Sequence, residues 1–492
     1  MRQLPKLKPG SSCSLCIARF RKTVPTPNGQ KGRFGQNIFF KRLRLQREGQ
    51  KIAKKLLAVL AALALMGGLA ACGEKPLLNP KDPTELIMWH FYGEQAGSPM
   101  DELVDEFNRT TGRETGVLVR VMNVTSTAKI GKLLLDAQRD DPNSLPFPDI
   151  FTCHIGDALA LGQQNIMDWN DCFTPEELAE FVPGFLEDGL QDGRLLIFPI
   201  SKSTHMLMLT GPGFDRFSAA TGITGEDLAT WEGFYAAAAE YHKLTGLPFC
   251  ALDYPLRAVE LNAMEHGTED FYTEDGWYDF ENLALKESWL QFARSLVQGH
   301  VVVSDLYSNT QVMTGEVLAG MGSSAAILYY NDRVTYEDGT SEPMDLRVLP
   351  MPCTAGAEPL MTQAGVGLCA YKSTPEKAEA AKIFAHWLTE AERNLDFVTD
   401  TGYMPVRQGA FDAIDSYEFS EESYARLYAA MKDMEERYTP VSEPRFTGYF
   451  GKVNAMYNGL RQMQKEMPAR AAAGEDVDAL ALEVWEYFKT FA

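Results

Sequence analysis

Cysteine is sparse and scattered in this chain: there are eight in 492 residues, and only Cys13 and Cys16 share a metal-type spacing. No second such pair completes a zinc site, and the remaining body cysteines (Cys153, Cys172, Cys250, Cys353, Cys369) are odd in number and irregular in spacing. That pattern gives no indication of a disulfide framework and reads mostly as small buried hydrophobes, with no metal expected. Histidine is scarcer still, at seven residues. HExxH, GxSxG and GxxxxGK are all missing, which removes the familiar zinc-protease, serine-hydrolase and phosphate-loop chemistries. His90, His154 and His205 each stand at the end of a strand-like run, where a hydrogen-bonded structural role is the ordinary one. No catalytic residue and no cofactor is expected. Long apolar runs are missing too: Leu56–Leu65 is broken by Gly67 and Gly68, short of the roughly 20 residues that span a bilayer. Positive charge is confined to the start. Residues 1–71 hold 15 Lys/Arg and one acid, Glu48, so the part from Cys72 onward has 31 basic and 66 acidic residues and a net charge of −35. A body that acidic repels nucleic acid and anionic membrane surfaces and suits a protein kept soluble outside a cell.

What is present explains the asymmetry. Lys51, Lys54 and Lys55 precede the apolar run, and Leu69-Ala70-Ala71-Cys72 follows it. A cationic flank, a short apolar stretch and small residues at a cleavage point make a signal peptide over 51–71. The Leu-Ala-Ala-Cys sequence resembles the bacterial lipobox, which implies that Cys72 becomes a lipidated N-terminus. Residues 72–83, with Gly, Pro and Asn and no periodicity, read as its tether. Residues 1–50 read as an upstream segment missing from the mature protein; Arg47-Glu48-Gly49-Gln50 suits a translated purine-rich ribosome-binding sequence.

From Thr84 strand-like and helix-like patterns alternate. Leu86–Trp89 is a buried-strand run, and Met100, Leu103, Val104 and Phe107 fall at helical spacing before Gly112. Val117, Val119 and Val121 alternate as a strand; Ile130, Leu133, Leu134 and Ala137 mark a helix; Asp149–Cys153 gives a third strand. This order predicts a parallel α/β sheet. Thr174-Pro175-Glu176-Glu177, Thr230-Trp231 and Thr374-Pro375-Glu376 read as helix starts. The last fifty residues read as mostly helical. Without repeats or low-complexity linkers, the body reads as one two-lobed unit.

Aromatics gather where loops should leave strands: Trp89, Phe91, Tyr92, Tyr254, Tyr272, Trp277, Tyr329, Tyr330 and Tyr403. Sugar rings present C–H faces to such rings and hydroxyls to polar partners, so a cleft combining both suits carbohydrate. For any single aromatic, a place in the core is the commoner outcome.

The order of motifs resembles extracellular solute-binding proteins of sugar-type ABC importers (family 1). The resemblance runs through Glu85–Trp89, Asp105–Asn108, Pro148–Phe151, Gly193–Ser201, Thr230–Phe234, Thr314–Ser324, Ser373–Ala378 and Gly402–Val406, with departures at Leu209-Thr210 and Glu316. It implies an α/β, two-lobed fold of the periplasmic-binding-protein type, joined by crossing hinge strands. The implied lobes are 84–200 plus 323–364 and 201–322 plus 365–492, with crossings near Ser201–Thr204, Met321–Ser324 and Gln363–Gly367. It implies a monomer, anchored by lipid at the outer face of the bacterial cytoplasmic membrane, delivering a small carbohydrate to ABC permease subunits. A disaccharide or small oligosaccharide is the expected ligand. Alternatives are a glycerol-phosphate or polyol carrier, suggested by Gly322–Ala325, and a surface glycan-degrading enzyme. Expected cleft residues are Trp89, Tyr92 and Glu94 after the first strand, Asp157 after the third, and Ser203 and His205 past the first crossing. Ser324 and Gln363 stand at later crossings, and Tyr254, Trp277 and Tyr403 are candidate platforms.

Overall fold

The computed structural model describes residues 76–92, 98–123, 127–267, 271–273, 277–305, 307–445 and 449–491. Expectations for residues 1–71, Cys72 and Glu94 lie outside them. Pro76–Ala492 is one compact unit. It opens with β1 (Thr84–His90), α1 (Pro99–Arg109), β2 (Val117–Asn123), α2 (Thr127–Gln138), β3 (Ile150–Cys153), α3 (Ile155–Ala160) and α4 (Pro183–Glu187). A second run follows: β4 (His205–Leu209), α5 (Trp231–Thr245), β5 (Cys250–Leu252), α6 (Pro255–Glu265), α7 (Leu283–Val297), β6 (Val301–Val303), α8 (Ser308–Met313), β7 (Ala319–Ser323) and β8 (Arg347–Pro350). The chain then forms β9 (Leu360–Gln363), β10 (Gly367–Ala370), α9 (Pro375–Leu388), α10 (Glu422–Arg437), β11 (Thr439–Ser442), α11 (Tyr449–Ala472) and α12 (Val477–Lys489). Further helices, Gly211–Thr221 and Ala391–Thr399 among them, and hairpins lie between.

Two larger sheets result, one per lobe, beside three two-stranded ones. The first has the order β10-β3-β1-β2, with β1 parallel to β2 and β3, and β10 antiparallel at the edge. The second has the order β8-β4-β7-β5-β6, with β5 parallel to β6 and β7, and β4 antiparallel to β7 and β8. Parallel strands are covered on both faces, which is why β1 runs apolar through Leu86, Met88 and Trp89, all fully buried. In α1 the buried face is Met100, Val104 and Phe107. Phe107 meets Phe384 and Trp387 of α9 edge-on at 5.0 and 5.2 Å. In the second lobe Trp289 of α7 stacks on Phe488 of α12 at 4.1 Å.

Caps read from sequence are present: Thr230 Oγ1 accepts from Gly233 N, and Thr374 Oγ1 from Lys377 N. One stop signal moves. Gly112 lies inside a further turn of helix, Thr111–Thr115, and the closing residue is Gly116 at φ 84°. Gly112 serves close approach instead, since a Cβ there would sit 2.7 Å from the Val117 carbonyl oxygen.

The division between lobes also moves. Residues 323–364 were expected in the first lobe, yet β8 pairs with β4 in the second sheet. Residues 365–492 were expected in the second, yet β10 pairs with β3 in the first, and α9 packs on β1. The return therefore falls at 364–366 and not near Met321–Ser324. Ser324 N bonds to Thr204 O at 2.8 Å, so the chain there touches the outgoing crossing without following it back. A third crossing, β11, leads to α11 and α12 of the second lobe, and it pairs in parallel with β9.

Candidate functional site: the cleft between the lobes

Because β1, β2 and β3 are parallel, their carboxyl ends share one edge of the first sheet; β5, β6 and β7 do the same in the second. The crossings run between these two edges. Phe198 and Leu368 exchange backbone hydrogen bonds at 2.8 and 2.7 Å, and Ser203 and Ala364 at 2.9 Å each. The outgoing chain at 198–204 and the returning chain at 364–368 thus form one antiparallel ribbon from the end of β3 to the start of β4. Ligands of open α/β sheets lie beyond the carboxyl ends of strands, and here the ribbon joins one sheet to the other.

Around the crossings lies a charged, hydrogen-bonded network. Lys202, 1% exposed, pairs with Asp188. Burial pushes the Asp188 carboxyl up, but Lys202, Ser442 and Arg445 outweigh it and hold the group below its ordinary value. Arg445 donates to the carbonyls of Glu187, Asp188 and Leu190 at 2.8–3.0 Å, capping the end of α4. From the second lobe, Arg257 donates to Glu260 at 2.8 Å and to the carbonyls of Val441 and Ser442 at 2.7 Å. Glu260 also accepts from the hydroxyls of Tyr278 and Tyr449. Segment 441–445 is therefore clamped by one arginine on each side.

Glu443, partly buried between those clamps, has no hydrogen bond or ion pair among the described residues. Burial pushes its carboxyl up to about 7, with Arg257 and Lys202 opposing and Asp188 and Glu260 adding. Asp253, at the end of β5, accepts from Ser308 N at 2.6 Å and Ser308 Oγ at 3.0 Å, and burial carries it to about 6. Burial, then Arg257, drives His205 down to about 3, so its ring is neutral. Burial, then Lys202, takes His154 down to about 4, against the pull of Asp188.

The expected site residues separate into groups. His205 and Tyr254 come together, their rings stacked at 4.9 Å and 7°, and Tyr254 is 40% exposed. Tyr92 and Tyr403 meet edge-on at 6.0 Å, and the Tyr92 hydroxyl bonds to Ser201 Oγ at 2.8 Å. Ser203, Ser324 and Gln363 lie on or against the ribbon and are buried. Gln363 Nε2 is already committed to Gly184 O at 2.7 Å and Ser442 Oγ at 2.8 Å. Asp157 accepts from His154 N at 3.3 Å in the first turn of α3, and it is half-buried. Trp89 and Trp277 do not stand as platforms. Trp89 is fully buried among Ile130, Leu134 and Phe151. Trp277 belongs to the second-lobe core, with Lys452 Nζ 4.5 Å from its ring centre.

Sequence reasoning missed Tyr307, Lys202, Asp188, Arg257, Glu260, Asp253 and Glu443. Tyr307, 56% exposed, follows β6 and shares the strand-end position that marked Tyr254. The charged residues had no such signal, since their partners lie far along the chain. Among the described residues no group of three His, Cys, Asp or Glu is placed to hold a metal. No helix among them is long and apolar enough to cross a membrane.

Two α/β sheets joined by crossing strands are the fold of a two-lobed binding protein. Residues 102–424 match the family described as bacterial extracellular solute-binding protein, and the chain belongs to that family. Among solved structures, it is similar to the cyclic alpha-maltosyl-1,6-maltose binding protein from Arthrobacter globiformis, at 19% identity, 83% of this chain, 99% of that chain and a TM-score of 0.61. It is similar to UgpB from Mycobacterium tuberculosis in complex with glycerophosphocholine, at 16% identity, 83% and 98% coverage and a TM-score of 0.61. It is also similar to the sugar-binding protein MalE from Xanthomonas citri, at 17% identity, 83% and 97% coverage and a TM-score of 0.60. At these identities the likeness concerns the fold. No curated protein sequence matches the chain.

Proposed function

We propose that this chain captures a carbohydrate, a disaccharide or small oligosaccharide, between its lobes and passes it unaltered to the membrane subunits of an ABC importer. The observation that carries the reading is Tyr254: an exposed ring just past the end of β5, stacked on the His205 ring. Such a ring gives a sugar face its stacking surface. Proteins of this fold named for maltose-type sugars support it. The cations of the cleft speak against a glycerol phosphate. Lys202, Arg257 and Arg445 already hold protein oxygens, and an anion would have to displace them.

Isothermal titration of the purified protein with maltose-type oligosaccharides should show simple saturation, and Tyr254→Ala should weaken binding by about 1–3 kcal/mol. At a ligand concentration a hundred times the dissociation constant, the protein should gain roughly 2.7 kcal/mol of stability. Chromatography should return the sugar intact after long incubation. Cleavage in proportion to protein concentration would establish the glycan-degrading alternative.

The membrane attachment is a proposal of the same kind. Cys72 follows a cationic flank, an apolar run and small residues, the order in which a signal peptide is cut before a lipid-bearing cysteine. Mass spectrometry of detergent-extracted protein should find Cys72 N-terminal and diacylated. Cys72→Ser should release the protein or stall its processing. Intact residues 1–71 on the mature chain would refute the anchor.

A further inference from the structure

At the amino edge of the second sheet, two histidines stand together. His242 lies in the last turn of α5, and His300 directly precedes β6. Both are half-buried. Phe249, just before β5, donates its N–H to the His300 carbonyl at 2.8 Å and so ties the His300 backbone to the sheet. Tyr254 lies past the other end of β5, at the opposite edge.

Three distances define the pair. The ring centres are 5.3 Å apart with their planes at 50°, so the rings do not stack. His242 Nδ1 is 3.1 Å from the Leu247 carbonyl oxygen. That oxygen can only accept, so Nδ1 carries the proton and the Nε2 lone pair of the neutral ring is left over. Gly299, at φ 75°, makes the turn that delivers His300. A Cβ there would stand 3.5 Å from His242 Cε1, the ring atom bonded to Nε2. No hydrogen bond from the described residues engages the His300 ring.

Closing the end of α5 accounts for His242 Nδ1 alone. The spacing of the rings has a further consequence. Two imidazoles on one tetrahedral metal, each nitrogen about 2.0–2.1 Å from it, put each ring centre about 3.2 Å from the ion and the two centres about 5.2 Å apart. A histidine that binds metal also donates its other N–H to a carbonyl or carboxylate, which fixes the tautomer and aims the ring. His242 makes that bond to Leu247. Imidazole nitrogens suit copper, nickel and zinc, whereas magnesium and calcium take oxygen donors.

We propose that His242 and His300 form a surface site for a divalent transition metal (copper, nickel or zinc), with water in the remaining positions. Two protein ligands make an open site, in keeping with there being no group of three His, Cys, Asp or Glu placed for a metal among the described residues. Copper should bind more tightly than nickel or zinc. The net charge of −35 from Cys72 onward raises the concentration of cations near the surface. The bound ion ties the end of α5 to the start of β6, so it should stabilise the second lobe. The site is independent of the carbohydrate reading, because it lies at the edge of the sheet away from Tyr254.

The test adds one equivalent of copper(II) to the purified protein, carrying no histidine tag, and records electron paramagnetic resonance. The spectrum should show coupling to two imidazole nitrogens. His242→Ala and His300→Asn should each reduce that to one and weaken copper binding in a titration at least about tenfold, since even an outer partner of a metal ligand is worth that much. His266→Asn, at an exposed histidine after α6, should change neither the spectrum nor the affinity. Zinc should raise the thermal unfolding midpoint of the parent protein and of His266→Asn, and leave the other two variants where they were. Their midpoints without metal, close to that of the parent, show that they fold. A parent spectrum without nitrogen coupling would overturn the site. Copper affinity unchanged in both His242→Ala and His300→Asn would overturn it as well.

Discussion

Arg257→Met is expected to cost about 3–5 kcal/mol of stability, the range for breaking a buried ion pair by removing one partner. Arg257 is 4% exposed and Glu260 is fully buried. With the guanidinium gone, Glu260 keeps tyrosine hydroxyls, those of Tyr278 and Tyr449 among them, and its charge loses the cation paired with it. The Val441 and Ser442 carbonyls lose their donor at the same stroke. Those carbonyls lie on β11, the third crossing, so the damage reaches the hinge as well as the second-lobe core. Adding Glu260→Gln should restore part of the stability, because the amide oxygen still accepts from a tyrosine without bringing a charge. Urea unfolding followed by tryptophan fluorescence checks both variants. A loss under about 1 kcal/mol for Arg257→Met would show that solvent reaches Glu260.

The clamp also shows where sequence reading stops. Arg257 and Val441 are 184 residues apart, and Lys202 stands 14 residues from Asp188 across a hairpin. Neither separation is a helical or strand period, so no local pattern announces the pair. The helices and strands were legible because burial on one side imposes a period: Met100, Val104 and Phe107 mark one face of α1, and Val117 and Val119 point into the core from β2. Sheet order is different. Whether β8 pairs with β4 or belongs to the other lobe depends on which edge is free after β7 has paired. The four residues Arg347–Pro350 carry no trace of that choice. Aromatics divide for a similar reason. Trp89 and Tyr254 both stand at strand ends. One is enclosed by α2 and its neighbours, whereas the other lies over His205 with one side open. Packing decides the difference.

Gly322→Ala should damage the second sheet and the strand ends beside it through a single added methyl. Gly322 pairs with Met206 inside the second sheet, and its backbone makes no demand for a left-handed conformation. The constraint is space. A Cβ at this position would lie 2.1 Å from Asp253 Oδ2 and 3.0 Å from Asp253 Cγ. The carboxylate cannot simply swing aside, because it holds Ser308 N at 2.6 Å and Ser308 Oγ at 3.0 Å. Moving it strands a buried amide at the start of α8 and drags the neighbouring Tyr254. Overpacking and a lost hydrogen bond together should cost about 3 kcal/mol, with solute binding weakened in the same variant. Gly156→Ala is the control, since nothing lies within 4 Å of a Cβ there, and it should be neutral or slightly stabilising, by less than about 1 kcal/mol. The clash makes a second demand. Asp253→Ala introduced into Gly322→Ala should cost less than it does in the parent protein, because it relieves the overlap while removing a hydrogen bond already broken. Thermal unfolding of the four proteins in that cycle measures the coupling. Strict additivity of the two substitutions would mean that Gly322 is not kept small by Asp253.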